Sequence, residues 1–240
     1  MQPDIAIHRE RRERVMKTMG QGVMVLATAP EVIRNRDAHY PYRYDSHFHY
    51  LAGFPEPEAV LVLVADSSGD SKPRQILFCR EKNMEREIWD GFRFGPEAAR
   101  ETFRFDAAFA YDKLDEELPR LLENQPVLHY AIGFDPAWDA RMLGWLNVVR
   151  AKSRSGVSAP ATLLDARAII DEMRLIKDHH ELTLMRHAAD ISAAGHIAAQ
   201  RVCRPGMSEG EIEAELLYHF RKGGCQAAAY TSIVAGGANA

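Results

Sequence analysis

The sequence predicts an α/β fold with a mixed sheet flanked by helices, followed by a shorter, incomplete α+β region. Residues 59–65, AVLVLVA, form an unbroken apolar run, which is typical of a central strand covered on both faces. Other apolar runs alternate along the chain with segments of helical periodicity, which favours a layered α/β structure. Beyond residue 171 long helical segments dominate, which indicates a second domain.

Apolar runs define the predicted strands, and caps or apolar stripes define the predicted helices. The strand pattern occurs at residues 23–28, 59–65, 75–80, 127–132 and 230–235. The helix pattern occurs at residues 7–19, 84–90, 96–103, 114–122, 136–150, 177–202 and 208–222. A long loop follows the first strand. The polar segment DSSGDSKP at 66–73 joins the second and third strands, which predicts a hairpin within the sheet.

Several helix ends carry explicit capping signals. Gly20 closes the first helix, and Asp135 caps a helix that has Pro136 in its first position. Ser208 and Glu211 form an S-x-x-E capping box. The small and polar residues AKSRSGVSAP at 151–160 are typical of a connection between domains, so we place a boundary near Asp171, between domains 1–171 and 172–240.

Composition excludes several classes of protein. A hydrophobic content of 46% is enough to bury a sizeable core, and a formal charge of -4 indicates neither a nucleic-acid partner nor a membrane surface. The first twenty residues lack the apolar core of a signal peptide, and no apolar run is long enough to cross a bilayer. Three cysteines without metal-ligand spacing fit reduced thiols, so we expect a cytoplasmic protein.

An aromatic-rich stretch at residues 40–54 precedes the apolar strand and is interpreted as a stiff loop. Pro41 fixes one backbone dihedral and biases Tyr40 toward an extended conformation. The aromatic rings are spaced too irregularly for one helix face; they belong to Tyr40, Tyr42, Tyr44, Phe48 and Tyr50. Two interpretations stay open, because the rings could line a half-wet cleft or only cover the edge of the sheet.

The motifs alone give no self-contained active site. The long helix carries four histidines, His179, His180, His187 and His196. A zinc-protease helix would need H-E-x-x-H, but Leu184 stands where the second histidine of that motif should follow His180 and Glu181. The sequence also lacks a phosphate-binding glycine loop and a G-x-S-x-G motif, and its three scattered cysteines do not argue for a Cys/His nucleophile pair.

The order of motifs resembles the N-terminal domain of the Xaa-Pro aminopeptidases, the aminopeptidase P family. The matching stretches are YPYR at 40–43, S-x-F-x-Y-L-x-G-F at 46–54, EPEAVLVLV at 56–64, EIWDG at 87–91, SAPATLLDARAIIDEMRLIKD at 158–178 and CRPGMSEGEIEAEL at 203–216. The resemblance covers nearly the whole chain. It implies an α/β domain like that of creatinase and aminopeptidase P at 1–171, and the start of the family's pita-bread metallopeptidase domain at 172–240.

The resemblance also implies where the chemistry lies. In this family a two-metal centre, usually manganese, is held by two Asp, one His and two Glu in the C-terminal domain. Those ligands come after the strand that begins at Tyr230, so the resemblance implies no catalytic residue and no metal ligand in this chain. The 240 residues are therefore expected to be inactive alone, with two manganese ions bound only in the complete protein.

Four residues match family positions at the rim of the substrate pocket. Trp89 resembles the tryptophan that reaches toward the active site, where an indole would pack against a proline ring. Asp37 and Arg154 resemble residues that reach a neighbouring subunit's pocket in tetrameric members, and Tyr230 matches a tyrosine lining the metal cavity. The alternatives are core packing for Trp89, and solvated loop charges for Asp37 and Arg154.

Two functions follow as hypotheses. The first is an Xaa-Pro aminopeptidase that acts on peptides with proline in the second position. It would work as a homo-oligomer, a dimer or tetramer, with no nucleic-acid or membrane partner. The second is a non-catalytic oligomerisation or peptide-binding module, which an exposed aromatic loop at 40–54 would favour. Against the second, a strand at 230–235 would have no sheet partners.

Overall fold

Strands and helices alternate through residues 5–66 and 74–240, the part of the chain that the computed structural model describes. The strands are β1 (Gly22–Ala27), β2 (Ile33–Asn35), β3 (Ala38–His39), β4 (Val60–Ala65), β5 (Arg74–Cys79), β6 (Ala107–Ala110), β7 (Val127–His129) and β8 (Thr162–Leu164). The helices are α1 (Ile5–Met19), α2 (Ser46–Ala52), α3 (Met84–Asp90), α4 (Gly95–Phe103), α5 (Leu114–Leu122), α6 (Pro136–Arg150), α7 (Ala166–Leu175), α8 (His179–Val202) and α9 (Glu209–Lys222).

The chain divides into two units, of which the first ends at Leu175 and the second comprises Ile176–Ala240. The boundary proposed near Asp171 falls inside α7 and stays a prediction. Within residues 5–66 and 74–240, no helix is both long and apolar enough to cross a membrane.

The first unit is built on a six-stranded sheet with the order β6-β5-β4-β1-β7-β8. The predicted mixed sheet is confirmed. β4 runs antiparallel to both β1 and β5, which confirms the hairpin. The β1–β7, β5–β6 and β7–β8 pairs are parallel. All residues of β4 are buried, in agreement with a strand covered on both faces. Of the predicted turn at 66–73, all but Asp66 lies outside the described residues.

Helices cover both faces of this sheet and give it two cores. Leu61 and Leu63 of β4 face the core formed with α1, α2, α4 and α7. Val60, Val62 and Val64 of the same strand face the core formed with α5 and α6. The period of two along a strand therefore divides one apolar run between two layers. The Asp135 cap of α6 is confirmed, since its side chain accepts from Ala137 N at 2.8 Å.

A long loop was predicted after β1. That prediction is wrong for residues 46–52, which form α2. Asp45 caps this helix by accepting from Phe48 N at 2.8 Å. Gly53 ends it with φ 65°, at a place where a Cβ would lie 2.5 Å from His8 Cδ2. Phe48 and Tyr50 are buried in the core, whereas Tyr40 is exposed. Most of the aromatic stretch is therefore not exposed to solvent as a binding surface.

One fully buried arginine, Arg12, crosslinks the first unit. Its Nε donates to Gln75 Oε1 at 2.6 Å, its Nη1 to Leu51 O at 3.0 Å, and its Nη2 to Phe103 O at 2.8 Å. These acceptors belong to β5, α2 and α4, so one side chain of α1 ties three other elements together. Burial lowers the pKa of Arg12 to about 9, which leaves the guanidinium charged at neutral pH.

The second unit contains α8 and α9, which pack closely against each other. A Cβ at Gly223 would lie 2.8 Å from Ile191 Cγ2, so glycine permits this approach. The capping box of Ser208 and Glu211 is confirmed. The strand predicted at 230–235 is wrong: residues 176–240 contain no strand. A strand needs a neighbour for its backbone groups, and this unit offers none.

Candidate substrate-binding surface

Trp89 projects from α3, a helix that contributes no buried side chain. Asn83 caps α3 by accepting from Arg86 N at 3.0 Å, and Gly91 ends it with φ 84°. The Trp89 side chain is 85% exposed, which excludes core packing for this residue in the chain described here. Met84, Ile88 and Phe92 are also exposed on this segment. Exposed apolar side chains of this kind can pack against an apolar ring.

Asp37 and Arg154 both lie on tight turns at the surface of the first unit. Asp37 is in the turn between β2 and β3, next to Arg36 with φ 50°. Arg154 is in a single 3₁₀ turn, Ser153–Ser155, that follows α6 and ends at Gly156 with φ 79°. Both residues are exposed. Such turns fix the backbone while leaving the charged group free to meet a ligand.

Tyr230 belongs to the second unit and is 75% exposed. It borders a cavity of about 550 Å³ between α8, α9 and the segment after them, together with His196, Phe220 and Cys225. The structure thus places Asp37, Trp89 and Arg154 on three separate surface segments of the first unit, and Tyr230 in a different unit.

Sequence reasoning missed a crevice of about 440 Å³ at the carboxyl ends of β1 and β7. Parallel strands commonly form such crevices where their following helices leave to opposite faces of the sheet, as α2 and α6 do here. Thr28, Tyr44, Trp138 and Arg167 contribute to its lining. These residues are far apart in sequence. The one local signal was the Asp135 cap, at the end of the connection from β7 to α6.

The polar groups of this crevice are held by close partners. Arg167 Nη2 donates to Asp165 Oδ2 at 2.7 Å, and its guanidinium lies 5.4 Å from the Phe134 ring centroid. Tyr130 donates to Asp139 Oδ1 at 3.0 Å. Burial and this hydrogen bond raise the pKa of Tyr130, so its hydroxyl stays protonated. Because Tyr44 borders the crevice, the cleft interpretation holds for this ring and not for Phe48 or Tyr50.

The described residues do not fit a metal centre. Within residues 5–66 and 74–240, no three His, Cys, Asp or Glu side chains come together in a way that could hold a metal ion. The histidines of α8 are spread along the helix, and His196 Nδ1 lies 2.8 Å from the carbonyl oxygen of Ser192. A two-metal hydrolase needs several converging carboxylates, which this arrangement lacks.

Comparison with known families defines the class of protein. Residues 8–129, just over half of the chain, match the family described as aminopeptidase P, N-terminal domain. Residues 183–240 match metallopeptidase family M24. The order is that of an N-terminal α/β domain followed by the start of a metallopeptidase domain. The chain belongs to the aminopeptidase P family.

Individual relatives give the extent of this similarity. The chain is 39% identical over 230 residues to an Xaa-Pro aminopeptidase of Escherichia coli, covering 95% of this chain and 52% of that protein. It superposes on an aminopeptidase of Pseudomonas aeruginosa with a TM-score of 0.93 and 43% identity, over 97% of this chain and 52% of the other. A zinc-substituted E. coli aminopeptidase P in complex with product gives a TM-score of 0.89 and 37% identity, over 93% and 51%. The chain spans about half the length of the curated relatives it matches.

Proposed function

We propose that this chain is the N-terminal part of a metal-dependent Xaa-Pro aminopeptidase, which releases the first residue of peptides with proline in second position. The observation that carries the proposal is the superposition on the P. aeruginosa aminopeptidase over 97% of this chain at 43% identity. Similarity of this extent includes the segments that bear Trp89, Asp37 and Arg154. Because the chain spans half of its relatives, the activity is assigned to the native protein as a whole.

Within that protein the described residues bind and orient the substrate. The exposed indole of Trp89 supplies an apolar wall for the proline ring. Asp37 and Arg154 carry opposite charges on surface turns, which suits the amino terminus and the backbone of an extended peptide. We propose that these two residues serve a neighbouring subunit's pocket in a dimer or tetramer, where Tyr230 lines the metal cavity.

We propose that the metal is a pair of divalent ions, manganese in the native enzyme, held by residues other than those described here. The zinc-substituted E. coli relative supports a divalent ion at its centre. The ions would supply an activated water for attack on the carbonyl before proline. This chain would contribute no catalytic residue, and alone it would be inactive.

An exposed aromatic loop would have favoured the alternative function, a non-catalytic oligomerisation or peptide-binding module. The aromatic stretch at 40–54 buries Phe48, Tyr50 and Phe54, so it does not form an exposed binding loop.

A cytoplasmic location is proposed from the cysteines, which are all free. Burial raises the pKa of the Cys79 thiol to about 12, so this thiol stays protonated and unreactive.

The test is made on the native protein purified from its source cells. Its intact mass should be roughly twice the 27.0 kDa of this chain, since the relatives are about twice as long. It should cleave Xaa-Pro-Yaa peptides, lose this activity to a chelator and regain it with manganese. A native mass near 27.0 kDa without cleavage would overturn the proposal, as would manganese-dependent cleavage by these 240 residues alone.

A further inference from the structure

Apolar packing does not set the position of α3. None of its side chains is buried, and its most prominent apolar residues, Ile88 and Trp89, point into solvent. A seven-residue helix without a buried face is not stable by itself in water. Contacts at the flanks of the helix must therefore hold it in place.

Lys82, just before α3, connects the two flanks. Its Nζ donates to Glu87 Oε2 at 3.0 Å and to Arg93 O at 2.9 Å. The same ammonium lies 4.1 Å from the centroid of the Phe92 ring. Glu87 is in the middle of the helix and Arg93 follows the helix. The Lys82 ammonium therefore links the beginning, the middle and the end of the segment from residue 82 to residue 93.

Glu56 and Arg80 connect the end of this segment to the sheet. Glu56 Oε1 accepts from Phe94 N at 2.7 Å, at the start of α4. Glu56 Oε2 lies 3.5 Å from Arg80 Nη2, and the two side chains are only 7% and 10% exposed. Glu56 precedes β4 and Arg80 follows β5, so both groups lie at the same end of this antiparallel strand pair. We call Glu56, Arg80, Lys82, Glu87 and Arg93 the α3 network.

The α3 network is partly buried and incompletely hydrogen-bonded. Among the described residues, the buried atoms without a hydrogen-bond partner include Glu56 Oε2, Arg80 Nε, Glu87 Oε1 and Arg93 Nε. Charged groups in such surroundings interact strongly, and removal of one member leaves others uncompensated. Asp90 accepts from Arg93 at 2.7 Å. When Asp90 is included, the charges of the three cationic groups equal those of the three anionic groups. The arrangement therefore suits holding a segment rather than binding an ion.

We propose that Lys82 and Glu56 are positioning residues that fix α3 so that Trp89 meets the proline ring of the substrate. The inference rests on the proposed function, because it takes the substrate role of Trp89 from there. Neither residue contacts substrate in this scheme. Loss of Lys82 should therefore weaken substrate binding through Trp89 and leave the chemical step intact.

The first measurement is amide hydrogen exchange over residues 84–94 in the native protein. Lys82→Met keeps the aliphatic stem but removes the ammonium, and it should speed exchange of these amides by about tenfold. Lys82→Arg should restore most of the protection. Arg120→Met is the matched control, because it removes an exposed cation with two carboxylate partners, Glu116 and Glu117, on α5. Unchanged exchange in Lys82→Met would overturn the inference.

The second measurement is a double-mutant cycle on hydrolysis of an Xaa-Pro-Yaa peptide. Lys82→Met should raise KM about fivefold with kcat within about twofold, and should add almost nothing once Trp89→Ala is present. If Trp89→Ala raises KM while Lys82→Met has no effect or multiplies the effect of Trp89→Ala, the positioning inference fails and the proposed function stands. If Trp89→Ala leaves KM unchanged, the substrate role of Trp89 fails and the inference with it.

Discussion

Two buried charges of the first unit, Arg12 and Glu56, have opposite kinds of surroundings. Arg12 donates to neutral oxygens of Gln75, Leu51 and Phe103 and joins four elements of the core. Glu56 faces Arg80 at one end of the β4–β5 strand pair and accepts from one backbone amide, at Phe94. A charge surrounded by neutral acceptors acts as part of the core. A charge surrounded by other charges holds a surface segment, and it can be altered without losing the fold.

The largest effect is expected from Arg12→Met. The substitution keeps much of the volume but leaves three buried oxygens without their donor. We expect the free energy of unfolding of the first unit to fall by about 4 kcal/mol. Urea denaturation measures this loss. Arg9→Met serves as control, because the Arg9–Glu13 pair on the same helix is exposed and should contribute less than about 0.5 kcal/mol. Equal losses for the two variants would contradict the comparison.

The next effect is the pH dependence that His49 contributes on the Arg12 side of the sheet. His49 lies on α2 and stacks on Tyr44 at 3.8 Å. Burial, with smaller contributions from His8, Arg43 and Arg11, lowers the pKa of His49 to about 4. The unfolded chain takes up this proton near pH 6.5 and the folded chain does not, so stability is fully present above pH 6.5 and falls toward pH 4. The loss should approach about 3 kcal/mol over this window.

Urea denaturation at a series of pH values measures this dependence. His49→Gln should reduce the slope and leave the part contributed by His129, whose pKa is also lowered by burial. An unchanged slope in that variant would show that His49 is not responsible.

The smallest of the three effects is expected from Glu56→Gln. The amide oxygen can still accept from Phe94 N, but Arg80 loses its opposing charge while staying 90% buried as a side chain. We expect a loss of about 2 kcal/mol, roughly half of that for Arg12→Met. Trp89→Ala is the comparison on the same segment and should change the free energy of unfolding by less than about 0.5 kcal/mol, since the indole is 85% exposed. A loss in Glu56→Gln as large as in Arg12→Met would remove the distinction between the two sites.

Local signals in the sequence were sufficient for most of the first unit. Apolar runs predicted β1, β4 and β5 within one or two residues, and the caps at Asp135 and Ser208 were found where expected. Both kinds of signal act over a few neighbouring residues, so the chain carries them without tertiary information.

Features that depend on distant partners were missed. α2 is short and is stabilised by burying Phe48 and Leu51, which its irregular aromatic spacing concealed. Arg12 lies in the charged run RERRER, which has the pattern of a solvated surface, and only packing shows that it is buried. The segment at 230–235 has the composition of a strand, but residues 176–240 provide no strand to pair with it. The crevice between β1 and β7 is lined by residues that only the fold brings together.

The three tryptophans of the first unit give two sources of fluorescence, one on α3 and one on α6. Trp138 and Trp145 lie 5.9 Å apart on α6, with Trp145 buried against α5, whereas Trp89 is in water on α3. Indole emission shifts to longer wavelength in water, and a dissolved quencher such as iodide reaches only exposed rings. The most quenchable, red-shifted part of the fluorescence therefore reports mainly on α3, because Trp145 is buried and Trp138 is partly buried. A peptide that covers Trp89 would reveal itself by shielding this part of the emission while the emission from α6 stays constant.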